Sequence, residues 1–371
     1  RLCLARGARV VGTDQKRYDA VPQARALEAE GAALVLGGHG AAPFSQADIV
    51  VVSPGVPSFP ALAAAEARGV PIWSEIELGY RCLPAGARVV AVGGTNGKST
   101  TSALVAALLE AGGRTAFLGG NFGEPLAAHT TEPFDVFVLE VSSFQMERVD
   151  AFKPRVCVLL NVTPDHLDRY PSFEAYADAK GNAFRRQDGG DVAIVPAGDA
   201  VCMAQARRGG ARIVTFGPGG DVAVSPEAIV APGLVIPRRE LALSGGHNAL
   251  NVAAALAAVA PFELPAEAVR ATLRTFRGLD HRTALAGEVA GVRYYDDSKG
   301  TNVGAAVTAL LGLTEARAVL LAGGRDKGGS YGPLVDALRR KGRGAVLIGE
   351  AAEALAAAIG AAVPVARART M

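Results

Sequence analysis

Short apolar runs alternating with alanine-rich helical stretches along nearly the whole chain predict an α/β protein built mainly on parallel sheets. Two further observations refine that class. A strand, a glycine loop, a Lys-Ser-Thr triplet and a helix follow one another over 88–113, the layout of a P-loop ATPase-type unit. A Pro/Gly/Arg stretch, "RCLPAGAR" (81–88), reads as a linker, and a further α/β block starts near "FRGLDHR" (276–282). With 371 residues there is room for two or three domains of about 100–200 residues each. Three are expected, over 1–86, 87–278 and 279–371.

In the first block, residues 8–13, 33–36 and 48–53 read as strands, with helices near 22–30 and 60–68. The second block opens with strand 88–93 and continues through strands 134–140 and 156–161. The segment 217–248 alternates Gly/Pro turns with short apolar runs, more like an antiparallel insertion. Helix "NALNVAAALAAVA" (248–260) follows. In the third block, strands at 292–297, 317–322 and 345–348 are separated by helices near 302–311 and 333–341. The ends read as cut. "RLCLAR" looks like the last turn of a helix stopped by Gly7, with no strand before it. "VPVARARTM" (363–371) starts like a strand and stops, so a fragment truncated at both ends is expected.

Composition narrows the function classes. The 38 basic and 36 acidic residues leave a net charge of +2, and no basic block with interleaved aromatics suggests nucleic acid. The four cysteines (Cys3, Cys82, Cys157, Cys202) are far apart and form no C-x-x-C, which argues against zinc or a disulfide framework and for a reducing cytosol. Apolar runs such as Val252 to Phe262 fall short of the ~18 residues needed to span a bilayer. No signal-peptide pattern opens the sequence, and a cytoplasmic enzyme, monomeric, is the expectation.

The stretch "GGTNGKST" (93–100) is one residue short of the usual G-x-x-x-x-G-K-[ST] loop, because Val92 stands where the first glycine belongs. Its context is nonetheless that of a phosphate site. Strand "RVVAVG" leads in, and Ala103, Leu104, Ala107, Leu108 and Ala111 trace one helical face after it. Backbone N–H groups of Gly94, Thr95, Asn96 and Gly97, with the helix dipole, favour an anion there. Lys98 would reach the β/γ-phosphates, and Ser99 or Thr100 could ligate Mg²⁺. Glu140 ends strand "DVFVLE", where a Mg²⁺-ligating carboxylate belongs after such a unit. Ser142 and Gln145 follow in "VSSFQ". Asp165, His166 and Asp168 crowd the same sheet edge, where the aspartates alone would be ordinary caps. His166 could ligate a metal or hydrogen-bond a phosphate. Asp14 ends a Rossmann-like strand, where an acid often meets a ribose hydroxyl; the glycine turn expected before it would fall outside this sequence.

Together with this loop, "GGNFGEP" (119–125), "LEVSSFQME" (139–147), "NVTPDHLDRY" (161–170), "GGHNALN" (245–251), "GLDHR" (278–282) and "DDSKGTN" (296–302) follow in the order of the Mur ligases. The chain resembles that family, the ATP-dependent amide-forming enzymes of peptidoglycan precursor synthesis, over nearly its whole length. The resemblance implies Rossmann-like first and third domains around a central ATP-binding domain. "DDSKGTN" resembles the branch that adds D-glutamate to UDP-N-acetylmuramoyl-L-alanine. It also implies that Lys98 and Ser99 meet ATP and Mg²⁺, with Glu140 and His166 beside two Mg²⁺ ions. Asn248 and Asn251 would lie on the adenine side, Arg282 near the phosphates, and Asp297 and Lys299 near the nucleotide. Thr301 and Lys327 would contact D-glutamate. Asn121, Asp14, Ser53 and Gly55 would serve the UDP-sugar, with Ser142, Gln145 and His166 on the substrate side. Lys180 matches a lysine that is carbamylated in the family; read by itself it is a helix lysine facing solvent. Two alternatives stay open on sequence: a sister ligase, such as one extending folate with glutamate, and a nucleotide-binding module without turnover.

Overall fold

The structure, a computed structural model, describes residues 1–40, 42–326 and 330–370. In the N-terminal part, α1 (Leu2–Ala5) precedes β1 (Val11–Asp14), α2 (Ala24–Ala29) and β2 (Ala33–Leu36), and β1 pairs in parallel with β2. After these, β3 (Val50–Val52), α3 (Pro60–Ala67) and β4 (Ile72–Ser74) form a second parallel pair. Leu62, Ala65, Ile72 and Phe44 make a small core of their own. Helix α4 (Glu75–Cys82) follows β4 directly, capped by the Ser74 side chain, which accepts from the Glu77 N–H. The stretch expected to be a linker therefore begins inside a helix. The helix was missed because its acidic first turn and its Gly79 weaken the apolar period, whereas Ile76 is fully buried in the central core.

The central part is one nine-stranded sheet. Its strands are β5 (Arg88–Gly93), β6 (Ala116–Gly120), β7 (Val136–Glu140), β8 (Val156–Leu159), β9 (Val192–Pro196), β10 (Arg212–Gly217), β11 (Val222–Val224), β12 (Ala228–Ala231) and β13 (Leu234–Pro237). They lie in the order β13-β12-β11-β10-β9-β8-β5-β7-β6. The pairings from β6 through β11 are parallel, and β11, β12 and β13 form the antiparallel extension expected from 217–248. Helices α5 (Lys98–Ala111), α6 (Ser143–Met146), α7 (Phe173–Gly181), α8 (Ala200–Ala206), α9 (Gly246–Val259) and α10 (Ala266–Thr275) complete it. Strand β5 shows why the sequence reads as an unbroken apolar run: Val90 and Val92 enter one core with α5 and α9, while Val89 and Ala91 enter the other. Strands β6, β9 and β10 went unread although a Gly-Gly pair precedes each, because they are runs of only five or six residues whose strand character comes from the parallel neighbours they pair with.

The C-terminal part contains the antiparallel hairpin β14 (Ala284–Val289) and β15 (Val292–Asp296) and the parallel sheet of β16 (Ala318–Gly323), β17 (Gly342–Ile348) and β18 (Val365–Arg367). Helices α11 (Val303–Gly312), α12 (Gly332–Lys341) and α13 (Ala352–Ile359) surround a core that includes Leu338, Leu347 and Leu355. Among the described residues no helix is long and apolar enough to cross a membrane.

The sheet order positions the site. The chain runs from β5 outward to β6, returns to β7 at one side of β5, then crosses to β8 at the other. That reversal opens a crevice at the carboxyl ends of β5, β7 and β8, the place where open α/β sheets bind ligands. The loop after β5, Glu140 at the tip of β7 and Asn161 just past β8 all face it.

Candidate active site

The loop between β5 and α5 turns on two glycines with positive φ, Gly94 (143°) and Gly97 (88°). A Cβ on Gly97 would also lie 2.5 Å from the Asn251 Oδ1, so a bare backbone is required both for the turn and for the approach of α9. The loop is held from β8. Asn161 Oδ1 accepts from the N–H groups of Asn96 (2.9 Å) and Thr95 (3.2 Å), and Asn161 Nδ2 donates to the Asn96 carbonyl (3.0 Å). The Thr95 hydroxyl donates to the Thr163 carbonyl, accepts from the Thr163 N–H and lies 3.1 Å from the Tyr176 hydroxyl. The shortened motif is therefore a fully braced loop.

Charged groups converge at its exit. Ser99 Oγ donates to Glu140 Oε2 at 2.5 Å, and Asn121 Nδ2 donates to Glu140 Oε1 at 2.6 Å. Arg282, arriving from the C-terminal part, donates through Nη2 to the same Ser99 Oγ at 2.7 Å. Lys98 Nζ donates to the Thr95 carbonyl and Lys180 Nζ to the Gly94 carbonyl, each at 2.8 Å. Burial lowers the pKa of Lys98, partly offset by Glu140 and reinforced by Arg282. Burial lowers that of Lys180 far more, with Lys98 pushing in the same direction. Lys98, Arg282 and the weakly basic amine of Lys180 thus share the crevice with the carboxylates of Glu140 and Asp165.

Among the described residues no three His, Cys, Asp or Glu side chains gather into a metal-ligating cluster. Mg²⁺ is usually held by one or two protein oxygens together with waters and substrate phosphates. The Ser99 hydroxyl and the Glu140 carboxylate, buried side by side, supply hard oxygen donors of that kind.

A separate cleft of about 440 Å³ lies between the N-terminal and central parts, lined by Ser53, Glu75, Gly120, Gly123 and Gln145 among others. Gln145 and Ser142 form a reciprocal cap at the start of α6, which fixes the side of that cleft.

Residues 92–259 match the Mur ligase middle domain. Over 97% of its length the chain is 42% identical to the UDP-N-acetylmuramoylalanine–D-glutamate ligase of Anaeromyxobacter dehalogenans, covering 82% of that protein. It is 38% identical over 96% of its length to the enzyme of the same name from Myxococcus xanthus, covering 82% of that protein. The chain belongs to the Mur ligase family. Among solved structures of the same fold, MurF of Acinetobacter baumannii superposes with a TM-score of 0.63 at 21% identity, covering 88% of this chain and 83% of that one. The UDP-N-acetylmuramate–alanine ligase MurC of Thermotoga maritima gives 0.60 at 21% identity, covering 99% and 86%.

In this Mur ligase the expected site residues fall as follows. Lys98, Ser99, Glu140, Asn121, Arg282 and Lys180 sit in or against the braced loop. Thr100 is buried in the first turn of α5. Asn248 and Asn251 sit in the first turns of α9, bonded to each other at 3.1 Å, with Asn251 against Gly97. Asp297 acts through a neighbour: its Oδ1 accepts from the Thr283 N–H and hydroxyl and so pins the turn that carries Arg282, while burial raises its pKa. Lys299 and Thr301 are in the exposed turn that follows, where the Lys299 N–H donates to the His281 carbonyl.

His166 adopts a left-handed backbone, with φ of 56°, and its ring packs 4.8 Å from that of Phe144. Ser53 lines the 440 Å³ cleft and Gly55 turns the chain just after it, with φ of 82°. Asp14 ends β1, where its carboxylate accepts from the Lys16 N–H, outside the lining of that cleft. Lys327 lies outside the described residues. Lys180, which by itself reads as a solvated helix lysine and which the resemblance puts at the metal site, is only 5% exposed, its Nζ turned to the Gly94 carbonyl. Asn161, Thr163, Tyr176 and Asn302 were missed as individual residues. Three of them lie within the quoted motifs "NVTPDHLDRY" and "DDSKGTN", which was the available signal.

Proposed function

We propose that this chain is an ATP-dependent ligase that joins the amine of D-glutamate to the carboxylate of UDP-N-acetylmuramoyl-L-alanine in peptidoglycan precursor synthesis. The observation that carries the reading is the meeting of Glu140 and Arg282 on the Ser99 hydroxyl at the mouth of the phosphate loop. It assembles a phosphoryl-transfer site from two parts of the chain. "DDSKGTN" and the names of the relatives support the choice of amino acid.

A carboxylate is a poor electrophile because its leaving group would be oxide. Transfer of the γ-phosphoryl group of ATP to it gives an acyl phosphate with a good leaving group. Lys98 and the N–H groups at the start of α5 would hold the phosphates in line, the Thr95 and Asn96 N–H groups being taken by Asn161, and Arg282 would offset charge on the group in transfer. Mg²⁺, when bound, would be held by Ser99 and Glu140 and would supply further charge neutralisation on the phosphates. The neutral amine of D-glutamate then attacks the acyl carbon. The tetrahedral species collapses, and phosphate leaves with the electron pair. The products are UDP-N-acetylmuramoyl-L-alanyl-D-glutamate, ADP and phosphate. Docking of the C-terminal part keeps water from the acyl phosphate.

Finer assignments belong to the same reading. A second Mg²⁺ would sit toward His166 and Lys180, with Lys180 carbamylated. An ammonium cannot ligate Mg²⁺ whereas a carbamate can, and the depressed basicity of Lys180 favours the neutral amine that reacts with CO₂. The 440 Å³ cleft, with Ser53 and Gln145, would take part of the UDP-sugar, together with Asp14, Gly55, Asn121 and Ser142. Asn248, Asn251, Asp297 and Lys299 would serve the nucleotide, and Thr301, Lys327 and His166 the amino acid. Units 1–86, 87–278 and 279–371 would bind UDP-substrate, bind ATP and close over both, in a cytoplasmic monomer.

The test is phosphate release with product mass, given ATP, Mg²⁺, bicarbonate and UDP-N-acetylmuramoyl-L-alanine with D-glutamate, L-glutamate or no amino acid. A product heavier by one glutamyl unit with D-glutamate alone is expected. Turnover with L-glutamate, or ATP binding without any turnover, would overturn the reading.

A further inference from the structure

Asn302 caps α11, its Oδ1 accepting from the Ala305 N–H at 2.8 Å. Its Nδ2 reaches out of the C-terminal part and donates to Asn96 Oδ1 at 3.1 Å and to Asp165 Oδ2 at 3.0 Å. One carboxamide therefore ends a helix in one unit and grips two segments of another, the phosphate loop and the turn after β8. Aspartate or serine could cap the helix equally well. Neither can offer two N–H donors at the same time, so the outward bonds account for an amide here.

The rest of α11 is shaped for the same seat. A Cβ on Gly304 would come within 3.2 Å of Asn96 Nδ2 and 3.6 Å of Thr163 Oγ1. At the other end of the helix a Cβ on Gly312 would come within 2.9 Å of the His247 ring, in the first turn of α9. Helix α11 thus lies against the loop at its start and against α9 at its end, with glycine at both points. Arg282, in the same unit, meets Ser99 on the far side of the same loop.

We propose that Asn302 is a positioning residue: it clasps α11 to the phosphate loop and so brings Arg282 into register with Ser99 when the C-terminal unit docks. The proposal rests on the phosphoryl-transfer reading of the site. It assigns Asn302 no contact with substrate.

The variant that separates the two jobs is Asn302→Asp. It keeps the cap but turns both outward donors into an acceptor facing Asp165 and Asn96. The full chain would be measured with ATP, Mg²⁺, UDP-N-acetylmuramoyl-L-alanine and D-glutamate. The expected result is a fall in kcat of about 10- to 100-fold, the scale of a misplaced reacting group. ATP affinity by titration calorimetry should stay within about twofold, because the loop itself is braced by Asn161. Hydrogen exchange should rise together at 95–97 and at 303–306. Asn302→Ser, a neutral cap, should show the same loss and guards against misfolding caused by charge. Gly304→Ala should lower kcat in the same direction.

Wild-type kcat in both Asn302 variants, or unchanged exchange at 95–97, would overturn the clasp. So would a loss of ATP affinity equal to the loss of kcat. Failure of the functional reading looks different: the wild-type protein would then make no product, while the exchange comparison still decides whether Asn302 joins the two units.

Discussion

Replacing Asn161 should separate what holds the phosphate loop from what the loop binds. Asn161→Ala removes the acceptor of the Asn96 N–H (2.9 Å) and the donor to the Asn96 carbonyl (3.0 Å). Thr95 N–H loses its side-chain partner at 3.2 Å but keeps the Asn161 backbone carbonyl at 3.0 Å. Two bonds lost outright and one shared bond, at roughly 0.5–1.5 kcal/mol each, put the loss of stability at about 2 kcal/mol. Asn161→Asp keeps the acceptor but sets a carboxylate oxygen against the Asn96 carbonyl in place of the donor, so it too should cost about 1–3 kcal/mol. It also places a negative charge beside the phosphates. At an effective dielectric of about 20, a like-charge pair within roughly 8 Å costs about 2 kcal/mol or more. That corresponds to a roughly 30-fold weaker nucleotide affinity. Both variants should therefore fall below wild type in urea unfolding followed by circular dichroism, and aspartate should be the worse of the two in calorimetric titration with ADP and Mg²⁺. If alanine unfolds at the wild-type midpoint, or aspartate binds ADP as tightly as wild type, the bracing argument is wrong.

Glu77 is fully buried and accepts from the N–H groups of Asp150, Ala151 and Phe152 as well as from Arg81. Glu77→Ala should cost about 3–5 kcal/mol by thermal or urea unfolding, because three backbone N–H groups lose their acceptor at once, and loosen α4 from the central core. Glu140→Gln retains the shape but not the charge beside Ser99. Phosphate-release assays should show kcat lower by about 10²–10³ and a higher Mg²⁺ half-saturation; an unchanged Mg²⁺ curve would remove Glu140 from the metal site. Burial and Lys98 lower the Lys180 pKa, so the unfolded chain binds more protons than the folded one between that lowered value and about 10.4. In CO₂-depleted buffer the stability of wild type relative to Lys180→Met should rise with pH across that window. A flat or falling difference would contradict the burial argument.

The sequence by itself determined the α/β class, the phosphate loop, the order of the family motifs and hence the family. Those features are local: a strand leading into glycines, a Lys-Ser-Thr helix start and an acid at a strand tip are all written in contiguous residues. The sequence left three central strands and the start of α4 unread, since short apolar runs take their identity from the neighbours they pair with. It assigned no role to Asn302, and the burial of Lys180 was not written in it either. The tertiary structure alone decided those. Lys180 loses its solvent because α7 folds over Gly94, 86 residues earlier. Arg282 meets Ser99 from 183 residues away. Asn302 meets Asn96 across 206 residues. Burial and electrostatic partnership are properties of what the fold brings alongside a residue, and at such separations no pattern in the neighbouring sequence records them.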